Sequence, residues 1–521
     1  MKKLLLSTSL LACVVNCHGT IINAASGSFI DVSNAVSMAI PGDTVQIPVG
    51  TNSWHYDPSK TVTNILLKGI TVTGAGTNQT ILIDDTPAGA YRSDSIATMF
   101  TISMTNGYLT RLCNIQIQGG ITNSSSGFNQ RYSPTIAVGA SNSVRIDHII
   151  FNGVNSKNIT TYAQLNGLID HVHFSVPTLI ANPTEFNGDG FGDDSWATPY
   201  VFGTSNATYV EDCSFSSADN FGAVDVANGG RAVFRYCMFL TKMDVNTHGT
   251  ESANRYRSAR AIEVYNNSFS SLIPFDYKNT AVFFRGGTAA VFNNISTNYY
   301  SIAAMTSFRA PDNSPVFYPW YGISGLSDYD SNGPALLSGF AQVTTNLQLV
   351  MTNATWTNNQ WLGCVVYNSN AVAGVKRIGL VQGNNATNMW FHLAENYPIS
   401  FVQGDPFVIH KVYPAIDQIG RGQGDLLSGG TPAVGWPHQA SEPIFVYSNI
   451  CYFNGANIGN SIGNDYANLV AGRDYTNGVK PSYTPFTYPH PLQNYVPPVP
   501  PPLNTLIMGT IGPNGRVSNM R

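Results

Sequence analysis

Charge is scarce in this 521-residue chain, in which Asp, Glu, Lys and Arg together make up only 11% of residues. The formal net charge is −4, with 26 Lys and Arg against 30 Asp and Glu. The basic excess of a nucleic-acid binder is therefore missing, and that class is set aside. Long runs with apolar residues at helical spacing are also scarce, which argues against an α-rich domain. Beyond the N-terminus no apolar run is long enough to cross a bilayer. Cysteine offers no disulfide framework. Five would remain after removal of an N-terminal leader, Cys113, Cys213, Cys237, Cys364 and Cys451, an odd and widely scattered set.

Glycine (48 residues), asparagine, serine and threonine are plentiful, and they suit the unusual dihedrals of a fold with many corners. From Thr208 to Phe269 one phrase recurs: an apolar residue, a polar residue two later, and a bulky apolar residue three after that. It reads Val210, Asp212, Phe215, then Phe234, Tyr236, Phe239, then Val264, Asn266, Phe269. Upstream it continues as Leu112, Asn114, Ile117, as Ile146, His148, Phe151 and as Ile169, His171, Phe174. Downstream it weakens to Val291, Asn293 and Val446, Ser448, Cys451. Apart from the last, these phrases lie 23 to 41 residues apart, which suits a solenoid whose coils bury their apolar faces only by stacking. The polar corner column, His148 and His171 included, is read as a ladder of satisfied hydrogen-bonding groups. Cys213 and Cys237 hold equivalent places on adjacent coils, where they either stack as small buried side chains or bond to each other.

Residues 1 to 19 carry Lys2 and Lys3, an apolar run from Leu4 to Val15, and then small residues, the pattern of a secretory signal peptide. Leu10-Leu11-Ala12-Cys13 imperfectly resembles a lipoprotein signal that would leave the chain anchored through Cys13. The expected location is thus secreted or at the cell surface. The stretch FIDVSNAVSMAIPGDTVQIPVGT (29 to 51) predicts a short helix from Asp31, with Val32, Ala35, Val36 and Ala39 on one face, followed by a strand after Pro41-Gly42.

With GITVTGAGTNQTILI (69 to 83) and the strand ends VRIDHIIF (144 to 151) and GLIDHVHF (167 to 174), this entry resembles right-handed parallel β-helix proteins of the pectate-lyase-like superfamily. The resemblance implies an all-β, right-handed parallel β-helix whose open end is capped by an amphipathic helix. It spans roughly residues 20 to 300 and resumes at 441 to 495. Between them, residues 301 to 440 contain alternating stretches such as ISFVQGDPFVIHKV (399 to 412), which predict an inserted small antiparallel β-module. Trp356, Trp361 and Trp390 lie in that module, as core residues or as platforms for sugar rings. The proline-rich run 483 to 502 reads as an extended strap or linker, and residues 496 to 521 as a flexible tail.

The chain concentrates its positive charge between Arg231 and Arg285, where eight of its 26 Lys and Arg lie. A groove so lined would attract a polyanion, and arginine can hold a carboxylate through two parallel hydrogen bonds. His248, Arg255 and Arg257 are the candidate catalytic residues, and Asp225, Arg231, Glu251, Arg260 and Arg285 the candidate substrate contacts. If the six extra residues of this coil fall in its early part, a step of 30 residues places Arg255 over Asp225. The resemblance implies a polysaccharide lyase acting on an anionic, uronate-containing glycan, a reaction that needs positive charge for the enolate and a base for the proton. Two alternatives stand beside it: a polygalacturonase-like hydrolase, and a non-catalytic glycan-binding or adhesin β-helix. The loop NGDGFGDDSW (187 to 196), with Asp189, Asp193 and Asp194, is a candidate for hydrolytic carboxylates or for Ca2+. No other cofactor is expected.

Overall fold

The computed structural model describes residues 19–54, 65–84, 98–103, 107–120, 134–139, 143–154, 157–176, 183–188, 200–217, 222–240, 245–248, 258–271, 280–305, 335–346, 348–361, 365–370, 378–391, 400–410, 419–420, 427–428, 431–432, 442–464, 471–472 and 474–495. These residues form a right-handed parallel β-helix with three faces. Face one can be followed along a single column of Cα partners. It runs Ile22, Val45, Val72, Leu112, Ile146, Ile169, Val210, Phe234, Val264, Val291, Val446 and Asn477. The first three coils, at Ile22, Val45 and Val72, precede the phrases legible in the sequence. Face three is a ten-stranded parallel sheet from Ile65–Lys68 to Ile462–Asn464. The parallel stack runs past residue 300, because Ser301–Met305 pairs with both Thr280–Phe284 and Ile462–Asn464.

Between faces one and two the chain turns on one residue. Asn114, His148, His171, Asp212, Tyr236, Asn266, Asn293 and Ser448 all have φ between +51° and +58°. The polar corner column is thus a column of left-handed residues, and asparagine, the commonest there, tolerates that region best after glycine. His148 and His171 are satisfied there, each Nδ1 on the carboxylate of the residue before it (Asp147, 2.8 Å; Asp170, 2.9 Å), while the coil-to-coil amide ladder lies one column inward of the expected place. Asn267 Nδ2 donates to Asn294 Oδ1 (3.0 Å) and Asn294 Nδ2 to Asn449 Oδ1 (2.9 Å). Each amide also donates to the first apolar residue of the preceding coil, at Phe234, Val264 and Val291. Cys213 and Cys237 continue this column as free thiols, with Sγ directed at the equivalent carbonyls of Ile169 (3.6 Å) and Val210 (3.5 Å).

Two columns further on, the rings of Phe151, Phe174, Phe215, Phe239 and Phe269 stack at 4.5 to 5.3 Å between centroids. The N-terminal helix spans Phe29–Met38, two residues earlier than expected. Ser28 caps it, its hydroxyl accepting from the Asp31 N–H. Val32 and Ala35 are buried against the first coils, with Val36 and Ala39 packed beside them, so the helix closes the end of the stack. Within the inserted region a six-stranded antiparallel sheet has its own core, in which Trp361 is buried and Trp356 packs edge-on against it. Trp390 is 36% exposed.

The strap bears on the outer side of face one. Tyr483, Phe486 and Leu492 pack on Tyr209, Val233, Tyr265 and Phe292. Beneath them lies a row of buried charges. Arg145 holds Asp170 with two hydrogen bonds (2.9 and 2.8 Å), Arg235 pairs with Glu211, and Glu263 accepts from Tyr200 and Tyr483. Arg235 also donates to the strap carbonyls of Phe486 and Thr487.

Candidate functional site

A polar cluster sits at the rim of face three, where strands Val224–Val226, Val245–Thr247 and Thr280–Phe284 run side by side. In such strands alternate residues point outward. Val224 and Val226 are buried in the core, and Asp225 between them points out, yet it is only 1% exposed. His248 follows the next strand. Its main chain is held from both sides, its N–H donating to Val226 O (2.8 Å) and its carbonyl accepting from the Ala259 N–H (3.3 Å). The imidazole Nδ1 lies 2.9 Å from Asp225 Oδ2 and 2.9 Å from Arg285 Nη2. Arg285 is fixed in turn, with its N–H on Thr247 Oγ1 (3.0 Å) and its Nε on Thr247 O (3.2 Å), and its guanidinium stands 3.9 Å from Asp225.

This geometry accommodates two tautomers. With the proton on Nδ1, His248 donates to Asp225, and Nε2 is the basic nitrogen. With the proton on Nε2, Nδ1 accepts from Arg285. The buried carboxylate beside Nδ1 favours the first form, and the guanidinium, which can only donate, favours the second. Asp225 and the Arg285 cation together fix the orientation of the imidazole.

Three of the eight sequence candidates, Asp225, His248 and Arg285, meet here. Arg231 and Arg260 do not: they are 2% and 0% exposed and lie near the ring of Tyr200, with Arg260 donating to Glu442 (3.1 Å). Burial lowers the Arg260 pKa, with the Glu442 charge opposing it. Glu251, Arg255 and Arg257 lie outside the described residues, as do Asp189, Asp193 and Asp194. The position over Asp225 belongs to Asn246, not to Arg255. The face-three strands there are 21 residues apart while the face-one strands are 30 apart, so this coil places its surplus after His248 rather than before it.

Composition did not single out Glu185, which is the register neighbour of Asp225 and ion-paired with Lys157. Asn187 beside it receives a hydrogen bond from Asn228 (2.9 Å). Alternation along TEF (184 to 186), read against VDV (224 to 226), carried that signal. No group of three or more His, Cys, Asp or Glu placed to hold a metal occurs among the described residues.

No family model matches the chain, and no curated protein matches it. Solved structures do. An alginate lyase from Paenibacillus sp. str. FPU-7 aligns over 55% of this chain and 91% of its own, at 11% identity and a TM-score of 0.36. The PL6 family alginate lyase AlyGC aligns over 57% of this chain and 41% of its own, at 14% identity and a TM-score of 0.32. The tailspike protein gp49 of Acinetobacter baumannii bacteriophage Fri1, a capsular polysaccharide depolymerase, aligns over 77% and 88%, at 9% identity and a TM-score of 0.24. This chain is a parallel β-helix protein. For this β-helix the likenesses concern fold alone, and the chemistry of its rim has to be argued from its own residues.

Proposed function

We propose that the chain is an exported, carbohydrate-active protein that cleaves an anionic, uronate-containing polysaccharide by β-elimination at the rim around His248. The observation that carries this reading is the Asp225–His248–Arg285 group, a base oriented by a buried carboxylate with a guanidinium beside it. In β-elimination the base removes the proton next to the uronate carboxylate, and the developing enolate needs nearby positive charge. His248 Nε2 takes the C5 proton and Asp225 holds the resulting imidazolium, while Arg285 draws the uronate carboxylate into place. The freed electron pair forms the C4=C5 double bond as the C4–O glycosidic bond breaks, and the departing oxygen takes a proton from the imidazolium or water. Glu251, Arg255 and Arg257, which follow His248 in sequence, are proposed as further contacts to the glycan. Arg231 and Arg260 brace the coils instead. The leader at residues 1 to 19 supports export.

A second reading has one observation in its favour. Glu185 and Asp225 are outward carboxylates on adjacent coils, hence about 5 Å apart in backbone spacing, which is compatible with a double-displacement glycosidase. The pairing of Glu185 with Lys157 opposes it, since a general acid must hold a proton.

Incubation with a panel of uronate polysaccharides, followed by ultraviolet absorbance and by new reducing ends, separates the readings. Both signals rise in elimination, and reducing ends alone rise in hydrolysis. His248→Gln should lower kcat by about 10²- to 10⁴-fold with a smaller change in KM. Parent-like turnover in that variant would remove His248 from the reaction.

A further inference from the structure

The left-handed corner between faces one and two carries one residue that its backbone does not explain. Asparagine, aspartate, serine and histidine tolerate φ near +55°, but a bulky aromatic residue there is an outlier. Tyr236 holds φ +58° between coil neighbours Asp212 and Asn266, so a small polar side chain serves the same turn on either side. Its ring packs against Tyr488 of the strap, tilted by 32° with centroids 3.9 Å apart, and the two remain 39% and 41% exposed.

Beside this aromatic pair lies an open groove of about 690 Å³, whose lining includes Tyr236, Met238, Asn266, Ser268, Asn293 and Ile295. Met238, Ser268 and Ile295 are register neighbours on face two, so they form a floor that repeats at the coil spacing of ~4.8 Å. Met238 and Ile295 are 46% and 48% exposed. Asn266 and Asn293 stand along the wall, and each amide offers both donors and an acceptor. None of these six side chains is charged at neutral pH.

We infer that this groove is a second glycan-binding site, which takes a neutral segment of a polysaccharide. A pyranose presents a C–H face and a ring of hydroxyls. The Tyr236 ring and the Met238 and Ile295 side chains of the floor match the first, and the two amides match the second. The absence of charge separates this site from the His248 rim, where Asp225 and Arg285 prepare for an ionic ligand. The two are also separate in space, since Tyr236 turns face one into face two and His248 leads face three into face one. Binding here does not depend on the reaction proposed above.

The full chain is titrated calorimetrically with cellohexaose, maltohexaose, mannohexaose and xylohexaose. Tyr236→Asn installs the residue that the left-handed turn prefers, so the coil is retained while the platform is lost. Met238→Lys blocks the floor without touching the turn and carries the test if the first variant melts early. The parent should bind at least one of the four hexaoses, both variants should bind it at least tenfold more weakly, and His248→Gln should bind it like the parent. Failure of all four to bind the parent would overturn the inference, as would parent-like affinity in a folded Tyr236→Asn or Met238→Lys variant. Loss of uronate cleavage in His248→Gln with hexaose binding intact tells the two sites apart.

Discussion

The two sides of face one are built from the same strands but on different terms. The inner side is an apolar column from Ile22 to Val446, flanked by amides and thiols that hydrogen-bond to the coil before them. The outer side is as thoroughly buried, yet it carries Arg145, Asp170, Glu211, Arg235 and Glu263 under a strap that arrives some 250 residues later. Inside, each coil is completed by its nearest neighbours. Outside, an ion pair such as Glu211–Arg235 is kept from water by a segment that belongs to no coil. Buried charge of this kind depends strongly on every partner being in place.

The sharpest way to break the comparison is Glu211→Ala. It leaves the Arg235 guanidinium buried without its carboxylate and should lower the unfolding free energy by about 3–5 kcal/mol in urea titration. Loss below 1 kcal/mol would mean that water reaches Arg235 beneath the strap. On the inner side Asn294→Ala removes bonds to Val264, Asn267 and Asn449 and should cost about 2–3 kcal/mol. Asn266→Leu, in the corner column one residue before the ladder residue Asn267, should cost about 1–2 kcal/mol through left-handed strain alone. Equal losses from the two would contradict the placement of the ladder one column inward.

Acid should act on the outer side first. Burial, helped by the nearby Arg235 charge, pushes His490 down to about 4, and its Nδ1 accepts the Leu492 N–H. The unfolded chain, with an ordinary histidine near 6.5, binds the proton more readily than the folded one. The contribution of His490 is therefore fully present above pH 6.5 and is lost as pH falls through 4. Melting curves of His490→Gln across that window should be flatter than those of the parent, and parallel curves would refute the assignment. The smallest effect concerns the thiols. Because Cys213 and Cys237 are free, a reducing agent should leave the melting temperature unchanged.

The inner side was largely legible in the sequence, because strand alternation and a one-residue corner repeat together. The phrase beginning at Val210 recurs with correct register at Phe234, Val264, Val291 and even Val446. Legibility ended where coils differ in length. A fixed step of 30 residues set Arg255 over Asp225, whereas the surplus lies beyond His248 and Asn246 takes the place. The outer side was hidden for another reason. Arg235 and Arg260 read as part of a basic groove, since nothing local announces that Tyr483, Phe486 or Glu442 will cover them. Charge counts locate such residues, but only tertiary contacts decide whether they meet solvent.

The partnership of Val291 with Val446 bears on how the molecule is assembled. Elsewhere successive coils meet across a few tens of residues, so the stack can lengthen coil by coil as the chain emerges during synthesis, each new turn settling on a finished template. At Val291 growth must wait until some 150 further residues have been made. Closing that loop instead of one of about 30 residues adds only about 1.5 kcal/mol of chain entropy. The delay is the larger consequence. Throughout it the last finished coil presents an open strand edge to its surroundings, and the antiparallel module is the segment being synthesised in the interval.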